Sequence, residues 1–174
     1  MKMRSPASAA CRLAAVLLLA SGAAFTPAGV FAQQGPLQPI KWSLAVEPAS
    51  GQAAGGTLTA VVSATIDEGW HVYAPDEANV GPRPVEITIV KNPVFAAAGK
   101  FVAPEPEREM DQAFGQITAS YAEAATFRLP VAVAADAAAG PQVLEIDVSF
   151  QACDGNICLP PKAARVKATI TVTK

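Results

Sequence analysis

Histidine and cysteine are scarce in this sequence, and long apolar runs are missing. His71 is the single histidine among 174 residues, and the cysteines number three: Cys11, Cys153 and Cys158. So few soft donors argue against a zinc centre, because two thiolates need further ligands to complete a tetrahedral set. A lone histidine in an aromatic setting such as WHVY is expected to be packed or hydrogen-bonded. The most apolar stretch, LAAVLLLA at residues 13–20, falls far short of the about 20 residues that cross a bilayer. Basic residues are also few, 13 Lys+Arg against 15 Asp+Glu. That balance argues against nucleic acid or anionic membrane as a partner, since both are bound through positive charge.

The N-terminus does carry a pattern. Lys2, Arg4 and Arg12 flank the short apolar stretch, and Val30-Phe31-Ala32 offers small residues before a cut. This is the layout of a cleaved export signal over residues 1–32, with cleavage between Ala32 and Gln33. Cys11 would leave with it, and an odd count of cysteines becomes a pair that can oxidise in an export compartment. The remaining 142 residues keep ten basic against 15 acidic side chains, a net charge of −5. That length suits one domain, residues 33–174, with a core of its own and no membrane insertion.

Alternation of apolar and polar residues predicts strands at 41–47, 57–66, 84–90, 125–133, 143–151 and 165–172. In the fifth, Leu144, Ile146, Val148 and Phe150 share a face opposite Glu145, Asp147 and Ser149. One face buried and one wet is the pattern of antiparallel sheet. Breakers separate the strands at 50–56, 79–84, 102–107 and 138–142, and the alanine-rich run at 132–140 reads as a connection. The predicted class is all-β, an immunoglobulin-like antiparallel two-sheet sandwich.

Chemistry concentrates in FQACDGNICLPP, residues 150–161. With Gly155-Asn156 as a hairpin loop, Cys153 faces Cys158 at a Cα separation of about 4.5 to 5.5 Å, within reach of a disulfide. With Asp154-Gly155 as the loop, the thiols sit diagonally; the first register puts both sulfurs on one face. A bridge closing so small a loop removes only about 2 kcal/mol of unfolded-state entropy. It is a poor staple, though an accessible and reducible one. Pro160 and Pro161 donate no ladder hydrogen bonds, so pairing should stop there and leave backbone beside Cys158 open. A redox pair and an inert bridge both fit these observations.

Three segments together resemble the N-terminal domain of the DsbD thiol:disulfide interchange protein family. They are FQACDGNICLPP, EGWHVYAPDEANVGPRPVEI at residues 68–87, and FGQITASYAEAATFRLPVAV at residues 114–133. The resemblance implies an immunoglobulin-like periplasmic domain that takes electrons from a thioredoxin-like partner and passes them to oxidised proteins, with cytochrome c maturation among the processes served. It implies that Cys158 forms mixed disulfides and Cys153 resolves them, with no bound cofactor. It also implies a shielding loop, for which DQAFG at residues 111–115 stands in place. Phe114 is then the candidate lid, although counting from Asp111 to Gly115 puts Ala113 at the main shielding position, and a core role for Phe114 is the other reading. Trp70 and Tyr73 are expected to pack under the site or line it. Asp111 and Asp154 are expected either to raise thiol pKa values or to be solvated turn residues. Full-length members of the family continue into a membrane carrier and a thioredoxin-like domain, whereas this sequence stops at Lys174. The expectation is a stand-alone exchange module served by a separate membrane thiol carrier. The alternatives are a non-enzymatic binding module with a permanent bridge, and copper capture by the reduced thiols.

Overall fold

Leu58, Ala60, Val62, Ala64 and Ile66 alternate with more exposed residues and are buried, which fixes that stretch as a strand with one face in the core. The computed structural model describes residues 37–75 and 81–174. The expected signal segment with Cys11, and residues 79 and 80 of the expected turn, lie outside them. In chain order the described residues form β1 (Ile40–Glu47), β2 (Gln52–Ala53), β3 (Thr57–Ile66), β4 (His71–Tyr73), β5 (Glu86–Ile89) and β6 (Phe95–Ala97). Then follow β7 (Glu107–Asp111), β8 (Gln116–Ala122), β9 (Ala124–Val133), β10 (Gly140–Phe150), β11 (Ala152–Cys153) and β12 (Lys162–Thr173).

These make three four-stranded sheets, ordered β1-β3-β9-β6, β2-β12-β10-β5 and β11-β4-β8-β7. All pairings are antiparallel except the short β12–β2 contact. The first two sheets form the expected sandwich. Phe127 from one and Leu144, Ile146 and Ile170 from the other share a single buried cluster. Trp42 links them, with its ring 6.0 Å from Phe127 and 5.4 Å from Phe150. Full burial of each such side chain stabilises by about 1.5–3 kcal/mol, so this core, and not the small cysteine loop, carries the fold.

The third sheet grows out of the other two. The path from β8 to β9 breaks only at Glu123, which adopts a positive φ of 60°. The path from β10 to β11 breaks only at Gln151. Two long strands thus leave the sandwich and continue into a sheet whose inner face, Val72, Ala119, Tyr121 and Ala152, still joins the core.

All six expected strands are present with small shifts at their ends, and six more are present that alternation does not reveal. β7 is charged and exposed apart from Asp111. In β8 both Thr118 and Ala119 are buried, which erases the period of two. β2 lies inside an expected breaker, and β10 starts at Gly140 within another.

Candidate functional site

Gln151 marks where the chain leaves the sandwich, and its amide holds the departing segments together. Its Nε2 donates to the Leu159 carbonyl at 3.2 Å, and its Oε1 accepts the Arg83 N–H at 3.0 Å. Beyond it, Cys153 enters β11 opposite His71 of β4, and the chain turns at Gly155-Asn156. Gly155 has φ +85° while Asn156 stays negative, the signs of a type II′ hairpin turn, in which glycine takes the first central position. Asp154 caps the turn: its Oδ1 accepts the N–H groups of Asn156 at 2.9 Å and Ile157 at 2.8 Å.

The turn brings Cys158 directly opposite Cys153, and a disulfide joins them with their Cα atoms 4.1 Å apart. The Gly155-Asn156 register is therefore the one adopted. Backbone bonds flank the pair, Asp154 N–H to Ile157 O at 3.1 Å and Leu159 N–H to Ala152 O at 2.9 Å. They make it a non-hydrogen-bonded pair, the closer kind. Pairing thus runs one residue past Cys158. Leu159 is fully engaged, which corrects the expectation of open backbone there. Cys158 itself has no backbone partner among the described residues.

The two sulfurs are not equivalent. Cys153 is 0 % exposed, while Cys158 is only partly buried at the outer edge of the sheet. Ile157 beside it is exposed, as are Pro160 and Pro161.

One rung of the third sheet reads Ala122, His71, Cys153, Cys158. Directly paired side chains emerge on the same face, so the imidazole and both cysteines lie on the face away from the core. Tyr73, two residues along β4, shares it and is fully buried. Its hydroxyl donates to Asp111 Oδ2 at 2.7 Å and lies 2.9 Å from His71 Nε2. Since the hydroxyl has one proton and Asp111 receives it, His71 Nε2 must donate and Nδ1 keeps the lone pair. Burial pushes the His71 pKa below its ordinary 6.5, against the opposing pull of Asp111 and Asp154. Backbone N–H donation from Ile157 and Asn156 holds the Asp154 carboxyl below its usual range.

Asp111 also shapes the loop between β7 and β8. Its Oδ1 accepts Ala113 N–H at 2.8 Å and Phe114 N–H at 3.2 Å, and its carbonyl accepts Gly115 N–H at 2.7 Å. Gly115 closes the loop with φ +64°, a left-handed conformation that glycine enters without a steric penalty. Phe114 is thereby held edge-on to Tyr73, ring centroids 6.0 Å apart, and remains 36 % exposed. The core reading of Phe114 is overturned, and Ala113 next to it is exposed with no ring to offer.

Of the residues singled out in the sequence, Cys153, Cys158, Tyr73, Asp111 and Phe114 come together around one face. Trp70 packs against the core and also borders a recess with His71, Asp111 and Asp154. Asp111 is 8 % exposed and bonded through both oxygens, so it is not a solvated turn residue. His71 is packed and hydrogen-bonded as expected, but its place in the cysteine rung is not visible from sequence, because the strand that carries it has three residues. Gln151 was visible as part of a motif, and only the sheet-to-sheet break explains it.

The sequence matches the family described as thiol:disulfide interchange protein DsbD, N-terminal, over residues 42–170. The chain belongs to this DsbD N-terminal family. The match runs from β1 into β12 and includes every residue of the cysteine face. Among solved structures, the chain is similar to the reduced DsbD N-terminal domain of Neisseria meningitidis. Identity is 18% and the TM-score 0.45, covering 68% of this chain and 81% of that one. It is also similar to the N-terminal periplasmic domain of ScsB from Proteus mirabilis, at 15% identity and a TM-score of 0.47. That likeness covers 70% of this chain and 43% of the ScsB domain, so the chain spans less than half of it. No curated protein sequence matches the chain. Among the described residues no helix is long and apolar enough to cross a membrane.

Proposed function

We propose that this DsbD N-terminal family domain is a periplasmic thiol–disulfide exchange module that works through Cys153 and Cys158. The observation that carries this reading is the asymmetry of the pair. An exchange centre needs one sulfur that a partner can reach and one that it cannot. Cys158, partly exposed at a sheet edge, suits the first role, and Cys153, wholly buried, suits the second.

In the reducing direction, the Cys158 thiolate attacks a partner disulfide, forms a mixed disulfide and releases the partner's first thiolate. Cys153 then attacks the Cys158 sulfur, restores the internal disulfide and releases the second thiolate. The electron pair of the domain's dithiol ends on the partner, and the domain is recharged by the reverse exchange with a reduced donor. That donor is a thioredoxin-like protein or a separate membrane thiol carrier, and the acceptors are oxidised periplasmic proteins, which extends to those of cytochrome c maturation. Phe114 acts as a lid over the Tyr73 side of the site, and exposed Ile157, Pro160 and Pro161 offer apolar contact beside the reacting sulfur. Cleavage after Ala32 exports the domain, and the chemistry needs no bound cofactor.

The test is trapping. With a purified thioredoxin-like protein carrying an oxidised Cys-x-x-Cys pair, reduced Cys153→Ala should accumulate a mixed disulfide through Cys158, seen by mass under alkylating quench. Cys158→Ala should form none, because its remaining thiol is buried. Equal trapping by both variants, or by neither, would remove the asymmetry on which the reading rests.

A further inference from the structure

Cys153 has a chemical difficulty that Cys158 does not share. It must become a thiolate in order to attack, yet it is wholly buried, and burial disfavours the charged form. Solvent cannot readily take its proton, so the proton needs an acceptor inside the protein. The rung supplies one candidate: His71 is the directly paired neighbour of Cys153 on the side away from Cys158. Paired positions put Cβ atoms about 4.5–5.5 Å apart on one face of the sheet. The hydrogen bond to Tyr73 makes Nε2 the donor, so the free lone pair belongs to Nδ1, the ring nitrogen bonded next to Cγ and so nearer the backbone.

We propose that His71 is the proton acceptor for Cys153 in the resolution step. This rests on the exchange reading above and deepens it. When the mixed disulfide stands on Cys158, Cys153 S–H passes its proton to His71 Nδ1. The resulting thiolate attacks Cys158 Sγ, the Cys153–Cys158 bond forms, and the bond to the partner sulfur breaks. The departing partner thiolate takes the proton from the imidazolium, so His71 returns to its neutral form and no external acid or base is consumed. Tyr73, with Asp111 behind it, is a positioning residue that fixes the tautomer.

The other ionisable groups near the ring suit this cycle. Asp111 faces it through Tyr73, with Oδ2 4.0 Å from Nε2. Asp154 lies in the turn beside it, and Glu107 and Glu109 of β7 border the same recess. All are carboxylates, which stabilise the transient imidazolium, while burial returns the ring to neutrality afterwards. Ser120 and Ala122 of β8 do not titrate near neutral pH.

The experiment uses dithiobis(nitrobenzoate), a small aromatic disulfide. Reduced protein is converted at acid pH to the nitrothiobenzoate adduct on Cys158. The adduct is then jumped to a range between about pH 6 and 9, where release of the second coloured thiolate reports resolution by Cys153 alone. For the unaltered protein the rate should level off near neutrality. His71→Gln keeps a donor for Tyr73 but has no base. It should resolve at least about 10-fold more slowly at neutral pH, with a rate that climbs with hydroxide across the whole range. Tyr73→Phe keeps the base but frees its tautomer, and should slow resolution by a smaller factor; it carries the test if His71→Gln fails to fold. Unchanged rate and pH profile in both variants would overturn the role of His71 and leave the exchange reading intact. Absence of any second release from the unaltered protein would overturn the exchange reading itself.

Discussion

At the residue scale, the site is a matter of which side chains lose water. His71, Tyr73 and Asp111 form a bonded chain with a neutral imidazole at its end, and that neutrality has a thermodynamic consequence. The folded-state pKa of His71 lies below its ordinary 6.5 because of burial, so below that value the unfolded chain binds more protons than the folded one. Stability from this residue is present above about pH 6.5 and is lost as pH falls through the folded value. The fall in denaturant midpoint from about pH 7 to about pH 5 should therefore be smaller in His71→Gln than in the unaltered protein. An equal fall in both would show that the ring is not held neutral. The cysteines, their register and the presence of Tyr73 and Asp111 near them are legible in the sequence because a turn motif and a family pattern carry them; the Tyr73–Asp111 hydrogen bond is not. Nor is the pairing of His71 with Cys153, because it depends on how two strands of two and three residues meet.

At the scale of elements, the site exists because two strands change sheets. β10 is long enough to build the sandwich core and still deliver Cys153 to a second surface, and Gln151 is the joint. Its side chain ties the returning arm at Leu159 and the segment at Arg83 to the point where pairing is interrupted. Each such side-chain bond contributes about 0.5–1.5 kcal/mol net. Gln151→Ala should then lower stability by about 1–2 kcal/mol and speed amide exchange at Leu159, measured by denaturant titration and hydrogen exchange. No change at Leu159 would mean that the hairpin holds itself without the joint. The main sandwich strands are readable from alternation, since each has one face in the core. β7 and β8 are not: β7 is exposed on both faces except at Asp111, and β8 buries the adjacent Thr118 and Ala119 on opposite faces, so neither shows a period of two.

At the scale of the whole molecule, stability and reactivity are separated. A continuous apolar core reaching all three sheets carries the fold, while the disulfide closes a small loop at an edge. Breaking it forfeits at most about 2 kcal/mol of chain-entropy stabilisation, so the domain should stay folded when the bridge is reduced. This separation is what an exchange module requires, and a permanently stapled binding domain has no need of it. The direct measurement is the redox equilibrium of residues 33–174 in graded glutathione buffers, with free thiols counted by alkylation and mass and the fold followed by circular dichroism. The account predicts that the Cys153–Cys158 pair titrates well above about −300 mV, where structural bridges lie, with the fold unchanged on both sides. A pair that stays oxidised across the whole series, in an intact fold, would contradict it and leave a stapled hairpin on a binding domain.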